Sequence, residues 1–193
     1  MSKITVFTNL TLDGVMQAPG RPDEDTRGSF KHGGWAAPFG AMQDAGDALS
    51  FTSALLFGRR TYDDFYSVWP KQKDNPFTAV LNNVQKYVAS TTLEEPLPWA
   101  NSTLLKGDAT KTVSSLKEKQ DKDLLIFGSG VLVQSLMRAN LIDEYVLLIH
   151  PLILGSGHKL FPDGSPFAAL NLRDTKPTSR GVMIATYQPA NNS

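Results

Sequence analysis

Two stretches of the chain run from a short apolar strand straight into a glycine and then a helix start. They are Ala54-Leu55-Leu56-Phe57-Gly58-Arg59-Arg60-Thr61 and Leu124-Leu125-Ile126-Phe127-Gly128-Ser129-Gly130-Val131. Uninterrupted apolar runs of this length suit strands covered on both faces, as in a parallel sheet. Glycine lets a ligand approach the main chain, and a helix N-terminus offers N–H groups and positive potential to an anion. Two such corners in one small sheet predict a pocket for a long, phosphate-bearing molecule, and a dinucleotide fits that description.

The 193 residues suit one domain spanning 1–193, large enough to bury roughly 70% of the unfolded chain's surface without a covalent staple. The chain has no cysteine, which excludes disulfides, thiolate metal sites and cysteine nucleophiles and is compatible with a reducing cytoplasm. Lys plus Arg and Asp plus Glu number 19 each, so no electrostatic footprint for nucleic acid or anionic lipid is expected. Met1-Ser2-Lys3-Ile4-Thr5-Val6 enters a strand pattern at once, unlike a signal peptide. No apolar run approaches the ~20 residues of a membrane span. A soluble cytoplasmic protein is the expectation.

Strands are predicted over Ile4–Leu12, Leu55–Gly58, Lys86–Ser90, Thr103–Lys106, Asp123–Phe127 and Tyr145–His150. Helices are predicted over Pro38–Thr52, Arg60–Val68 (stopped before Pro70), Ala109–Lys119 and Val131–Ala139, and a short helix or turn over Phe77–Val84. Leu170–Thr175 and Val182–Tyr187 read as a closing antiparallel hairpin. The alternation of early strands with helices, absent at the end, predicts an α/β fold: a mainly parallel sheet with an antiparallel C-terminal edge. Gln17–Gly34, rich in Gly, Pro and Asp, is a loop long enough to suggest function.

In Gly58-Arg59-Arg60-Thr61-Tyr62, two guanidiniums and a hydroxyl follow the glycine, a spacing that suits pyrophosphate or a ribose phosphate; a solvated helix start is the plainer reading. Gly128-Ser129-Gly130-Val131-Leu132 resembles half of a dinucleotide fingerprint, but Val133 stands where the third glycine belongs. His32, His150 and His158 lack metal-ligand spacing, so no metal is expected, and His150 reads as a core or rim residue. Ser129 is not in a hydrolase elbow. For acid–base work the candidates are Asp13, at the end of the first strand, and Asp44 or Asp47, on the helix before Gly58; Phe39, Met42 and Trp35 supply an apolar neighbourhood that raises a carboxylate pKa. Asp13 also suits a simple Asp-Gly turn, and the helix acids a solvated face.

The ordered set Thr8-Asn9-Leu10-Thr11-Leu12-Asp13-Gly14-Val15, His32-Gly33-Gly34-Trp35, Leu56–Tyr62, Lys86–Ser90, Ile126–Gly130, Asp143–Pro151, Gly155-Ser156-Gly157 and Leu160-Phe161 resembles the dihydrofolate reductase-like family. The nearer branch is the reductase domain of the bacterial bifunctional riboflavin-biosynthesis deaminase–reductase. The resemblance implies a mostly parallel sheet of about eight strands and bound NADPH. It places Gly58, Arg59, Arg60 and Thr61 at cofactor phosphates, and Ser90 and Thr91 near the adenosine ribose and its 2′-phosphate. Gly128, Ser129, Gly130, Val131 and Leu132 would pass under the pyrophosphate and nicotinamide ribose. Relatives often carry a basic residue after the strand serine, where this chain has Thr91; 2′-phosphate recognition then falls to Arg59, Arg60 or Lys106. Asp23-Glu24-Asp25 is an awkward neighbour for a phosphorylated substrate, and the zinc-binding deaminase half is missing from the chain.

The implied function is NADPH-dependent reduction of a small heterocycle, as by 5-amino-6-(5-phosphoribosylamino)uracil reductase or a dihydrofolate reductase-like enzyme. The alternative is a non-catalytic nucleotide-binding sensor or scaffold. Substrate is expected between the first strand's end, the Trp35 loop and the Pro38–Thr52 helix, with a proton from Asp13, Asp44 or water. The resemblance also implies a homodimer; Tyr145–Ile149 suits either an interface or central core.

Overall fold

The computed structural model describes residues 2–41, 54–73 and 75–190. Its strands are β1 (Ile4–Thr11), β2 (Ala54–Gly58), β3 (Lys86–Ser90), β4 (Ser102–Lys106), β5 (Leu124–Gly128), β6 (Glu144–His150), β7 (Leu170–Pro177) and β8 (Met183–Pro189). The helices are α1 (Arg59–Val68), α2 (Pro76–Asn83), α3 (Ala109–Lys119) and α4 (Gly130–Arg138). The eight strands form one sheet in the order β4-β3-β2-β5-β1-β6-β8-β7. β2 is parallel to β3 and β5, β3 is parallel to β4, and β8 runs antiparallel to both β6 and β7. The α/β fold expected from the alternation, closed by an antiparallel hairpin, is the one the chain adopts.

Among the described residues two compact units stand out: 2–5 with 54–142, and 6–41 with 143–190. In the first, all five β2 residues are buried, as a strand of a parallel sheet requires when both its faces are covered. Aromatic rings of Phe57, Tyr62, Phe65 and Trp99 cluster with centroids 5.3–6.5 Å apart, and the Tyr62 hydroxyl accepts the Trp99 N–H at 3.0 Å. The helix start at Ala109 is capped as its sequence suggests: Asp108 accepts from the Thr110 and Lys111 amides. α1 ends at Val68, before Pro70, as the sequence predicts. A 3-10 turn, Trp69–Lys71, carries the chain on, with Pro70 in its first turn, where a missing N–H costs no hydrogen bond.

In the second unit, β6 is buried along most of its length and lies between β1 and β8 in the strand order. That resolves the alternative for Tyr145–Ile149 in favour of central sheet. β7 is the sheet's edge and largely exposed. Val15, Ala18, Phe30, Trp35 and Ala36 form an apolar cluster, joined by Leu152 and Leu154. Buried Gln17 organises the loop that follows it: its Nε2 donates to the Asp25 and Arg27 carbonyls at 3.1 and 3.0 Å, and its Oε1 accepts the His158 N–H at 2.9 Å. Of the helix predicted over Pro38–Thr52, the description covers a 3-10 turn at Ala37–Phe39 and continues to Ala41. Residues 42–53, with the candidate acids Asp44 and Asp47, lie outside the described residues.

Candidate functional site

Gly58 pairs with Ala89, and Phe57 with Gly128. Gly58, Ser90 and Gly128 therefore end three adjacent parallel strands, with β2 in the middle. The carboxyl ends of such strands are where open α/β sheets take ligands. The two glycine corners also interlock. A β-carbon on Gly58 would meet the Ser129 hydroxyl and come within 3.2 Å of the Ser129 nitrogen; one on Gly128 would lie 2.7 Å from Thr61 Oγ1. The peptide joining Gly128 to Ser129 is cis.

Helix capping separates these corners from the rest of the unit. Asn75 and Asp108 place side-chain oxygens on the first amides of α2 and α3, whereas Gly58 and Ser129 make no side-chain cap for α1 and α4. The first N–H groups of α1 and α4 are left without that partner, and each helix brings positive potential to the same corner. Bare Cα surface and uncapped amides fit the phosphates of a dinucleotide.

The surrounding side chains differ in readiness. Arg59 is exposed and 3.5 Å from Asp63, one turn along its helix; burial pushes the Asp63 carboxyl up and Arg59 opposes it. Lys106 is paired with Glu94 and also donates to the Leu93 carbonyl at 2.8 Å. Arg60 is exposed. Buried Ser90 accepts the Thr92 and Leu93 amides, both at 3.1 Å, while Thr91 between them is exposed. At the start of α4, Val131 is 66% exposed and Leu132 5%. Leu132 can therefore offer a ligand little beyond its backbone.

The second unit carries Asp13 and Trp35. Asp13 accepts the Thr11 hydroxyl at 2.5 Å and the Leu154 and Gly155 amides at 3.2 and 2.8 Å. The Thr11 hydrogen bond leads the effects that hold its carboxyl below the usual carboxylate range. Trp35 is buried and donates its indole N–H to the Gln17 carbonyl at 2.8 Å. Its ring meets His150 edge-on, centroids 5.2 Å apart, and Phe39 meets the same imidazole at 5.1 Å.

His150 is fully buried, its Nε2 lies 2.9 Å from Asn9 Oδ1, and its buried Nδ1 has no hydrogen-bond partner among the described residues. Burial pushes this histidine down to about 4. The Asn9–His150 pair was not among the residues expected at a site. The signal for it is an amide within an otherwise apolar or hydroxyl-bearing strand, at the register where β1 nears its end. Among the described residues no group of three or more His, Asp or Glu side chains is arranged to hold a metal ion.

Residues 2–185 match the family model described as the RibD C-terminal domain. The uncharacterized protein YyaP of Bacillus subtilis (strain 168) is 29% identical over 148 residues, 73% of this chain and 76% of that protein. A pyrimidine reductase-like protein of Corynebacterium diphtheriae has a similar fold: TM-score 0.67, 13% identity, 99% of this chain and 93% of that one. So does dihydrofolate reductase of Enterococcus faecalis, solved with NADP(H), at TM-score 0.58 and 14% identity, over 98% and 97% of the two chains.

Proposed function

The chain belongs to the RibD C-terminal domain family, a dihydrofolate reductase-like family of reductases, and we propose that it is an NADPH-dependent reductase of a small heterocyclic substrate, such as a ribosylaminopyrimidine or a pterin. The observation that carries the reading is the interlocked pair of glycine corners, each opening an uncapped helix at the carboxyl end of a parallel strand. NADPH, when bound, supplies a hydride from its nicotinamide ring.

The chain's own part is binding and orientation. Backbone amides at the starts of α1 and α4 take the pyrophosphate, and Arg60, with Arg59 after release from Asp63, takes the remaining phosphate charge. Ser90 fixes the turn that presents Thr91 toward the adenosine end. Asp13, ionised and engaged in three hydrogen bonds, pins the 154–155 loop. The proton then comes from water or from Asp44, which lies outside the described residues.

The test is a titration of NADPH and NADH against intrinsic Trp fluorescence, repeated with Arg59→Ala and Arg60→Ala, followed by turnover with dihydrofolate, ribosylaminouracil and quinone substrates. Tighter binding of NADPH, weakened by Arg60→Ala and accompanied by cofactor oxidation, supports the reading. Binding without turnover across the panel favours a nucleotide sensor, and absence of binding refutes both.

A further inference from the structure

A purely structural position in the second unit has no use for a histidine with an orphaned nitrogen. Leaving a buried polar atom without a partner is costly, and such atoms call for an explanation. His150 is nonetheless completely buried, with Nδ1 unpartnered among the described residues and Nε2 on the Asn9 carboxamide at 2.9 Å. Trp35 and Phe39 meet the imidazole edge-on at 5.2 and 5.1 Å, with interplanar angles of 90° and 80°. Their rings fix its plane and exclude water from it.

The unpartnered nitrogen decides how Asn9 is turned. With the Asn9 oxygen toward His150, Nε2–H donates and the orphaned Nδ1 is a bare lone pair. With the amide reversed, Nε2 accepts and the orphan becomes a buried N–H. A buried N–H without an acceptor is the rarer and costlier of the two. The imidazole is therefore the neutral Nε2–H tautomer, and it holds the Asn9 oxygen inward. Asn9 is only partly buried, and among the described residues no acceptor meets its NH2 group. Among the described residues, then, the amide has one end fastened and its donor end open.

We propose that Asn9 is a specificity-determining residue whose fastened carboxamide presents N–H to a carbonyl oxygen of the substrate ring, with His150 as the positioning residue that sets its orientation. This rests on the reductase reading above and deepens it: the substrate is a heterocycle carrying a ring carbonyl where Asn9 meets it, and an amino-substituted ring is refused. A donor facing a donor leaves both unpaired, which is how a hydrogen-bonding site discriminates most sharply.

The test compares two planar probes of equal size, 5,6-diaminouracil and 2,4,5,6-tetraaminopyrimidine, in which ring carbonyls are exchanged for amino groups. Binding is followed calorimetrically with and without saturating NADPH. Wild type is expected to prefer the dione by at least about tenfold, one hydrogen bond's worth of discrimination. Asn9→Asp, which replaces the donor by an acceptor of the same shape, reverses or abolishes that preference. His150→Leu frees the amide and brings the two affinities within about twofold, while His150→Gln, able to donate to Oδ1, restores the preference.

A two-bond 15N–1H spectrum is expected to show His150 as the Nε2–H tautomer at pH 7. An Asn9→Asp protein that binds NADPH and keeps the wild-type preference overturns the inference alone, as does a wild type that binds NADPH without discriminating the rings, or an Nδ1–H tautomer. A protein that binds neither NADPH nor either ring overturns it together with the proposed function.

Discussion

Gly58 and Ser129 are in contact across two adjacent strand ends, so closely that a β-carbon on Gly58 would lie 3.2 Å from the Ser129 nitrogen and overlap its hydroxyl. Gly58 has φ −78° and ψ 155°, extended backbone that any residue adopts. The requirement for glycine is therefore one of space, not of backbone conformation. Gly58→Ala is expected to lower stability by about 1–3 kcal/mol, the usual cost of overpacking, and to weaken NADPH at least tenfold by parting the two corners. Adding Ser129→Gly removes the hydroxyl and β-carbon in the way and is expected to recover most of the stability. Thermal melts and an NADPH titration of the single and double variants check this; additive losses would show that the two residues are not coupled.

Much of this architecture is legible in the residues, because the burial of β2 and β5 on both faces imposes continuous apolar runs. Pro70 stops α1 at Val68 as the local rule requires, but the 3-10 turn Trp69–Lys71 that follows is set by the chain's path and not by any local pattern. Trp35 reads as a binding-loop aromatic, yet its indole N–H and neighbours Val15, Ala18 and Phe30 make it core. The Asn9–His150 pair joins positions 141 residues apart, and no periodicity in either strand announces it. Lys86 is less legible still, since lysine is almost never fully buried, and its reason lies in the Leu81, Asn82 and Val84 carbonyls at the C-terminal end of α2.

Asp13 holds two amides of a loop far along the chain, so Asp13→Asn removes one of its two accepting oxygens. The expected loss is about 1–2 kcal/mol, with faster hydrogen exchange at the Leu154 and Gly155 amides. Because hydrogen bonding lowers this carboxyl in the folded state, its stabilising contribution is present above its ordinary 3.8 and is lost as pH falls through the lowered folded value. The pH profile of turnover is expected to keep its shape in the variant. Loss of a limb would return the role of proton donor to Asp13.

His150 predicts an acid-sensitive fold. Burial depresses it from 6.5 to about 4, so between those values the unfolded chain binds a proton that the folded chain refuses. Stability then rises with pH across that window, is intact above 6.5, and falls by roughly 2–4 kcal/mol on acidification to 4, at about 1.4 kcal/mol per unit. His150→Gln does not titrate. Urea unfolding at pH 7 and 4.5 is expected to show wild type losing about 2 kcal/mol more than the variant; parallel losses would show that this group is not the one responsible.

Lys86 makes the opposite end of the pH scale informative. It is fully buried, donates from Nζ to the Leu81 and Val84 carbonyls at 2.7 and 2.8 Å and more weakly to that of Asn82 at 3.4 Å, and lies 4.7 Å over the Trp99 ring. Desolvation lowers it from 10.5 to about 8. Below 8 both states carry the charge, and the folded state bears the full cost of burying it. Between 8 and 10.5 the folded protein gives up a proton that the unfolded chain keeps, so stability rises with pH. Relative to Lys86→Met, wild type is expected to gain about 2 kcal/mol between pH 7.5 and 10. Loss of the ammonium also removes a cation from the Trp99 face, so wild-type Trp emission is expected to shift with a midpoint near 8, and the Lys86→Met protein to show no such transition. An emission change common to both proteins would place the titrating group elsewhere.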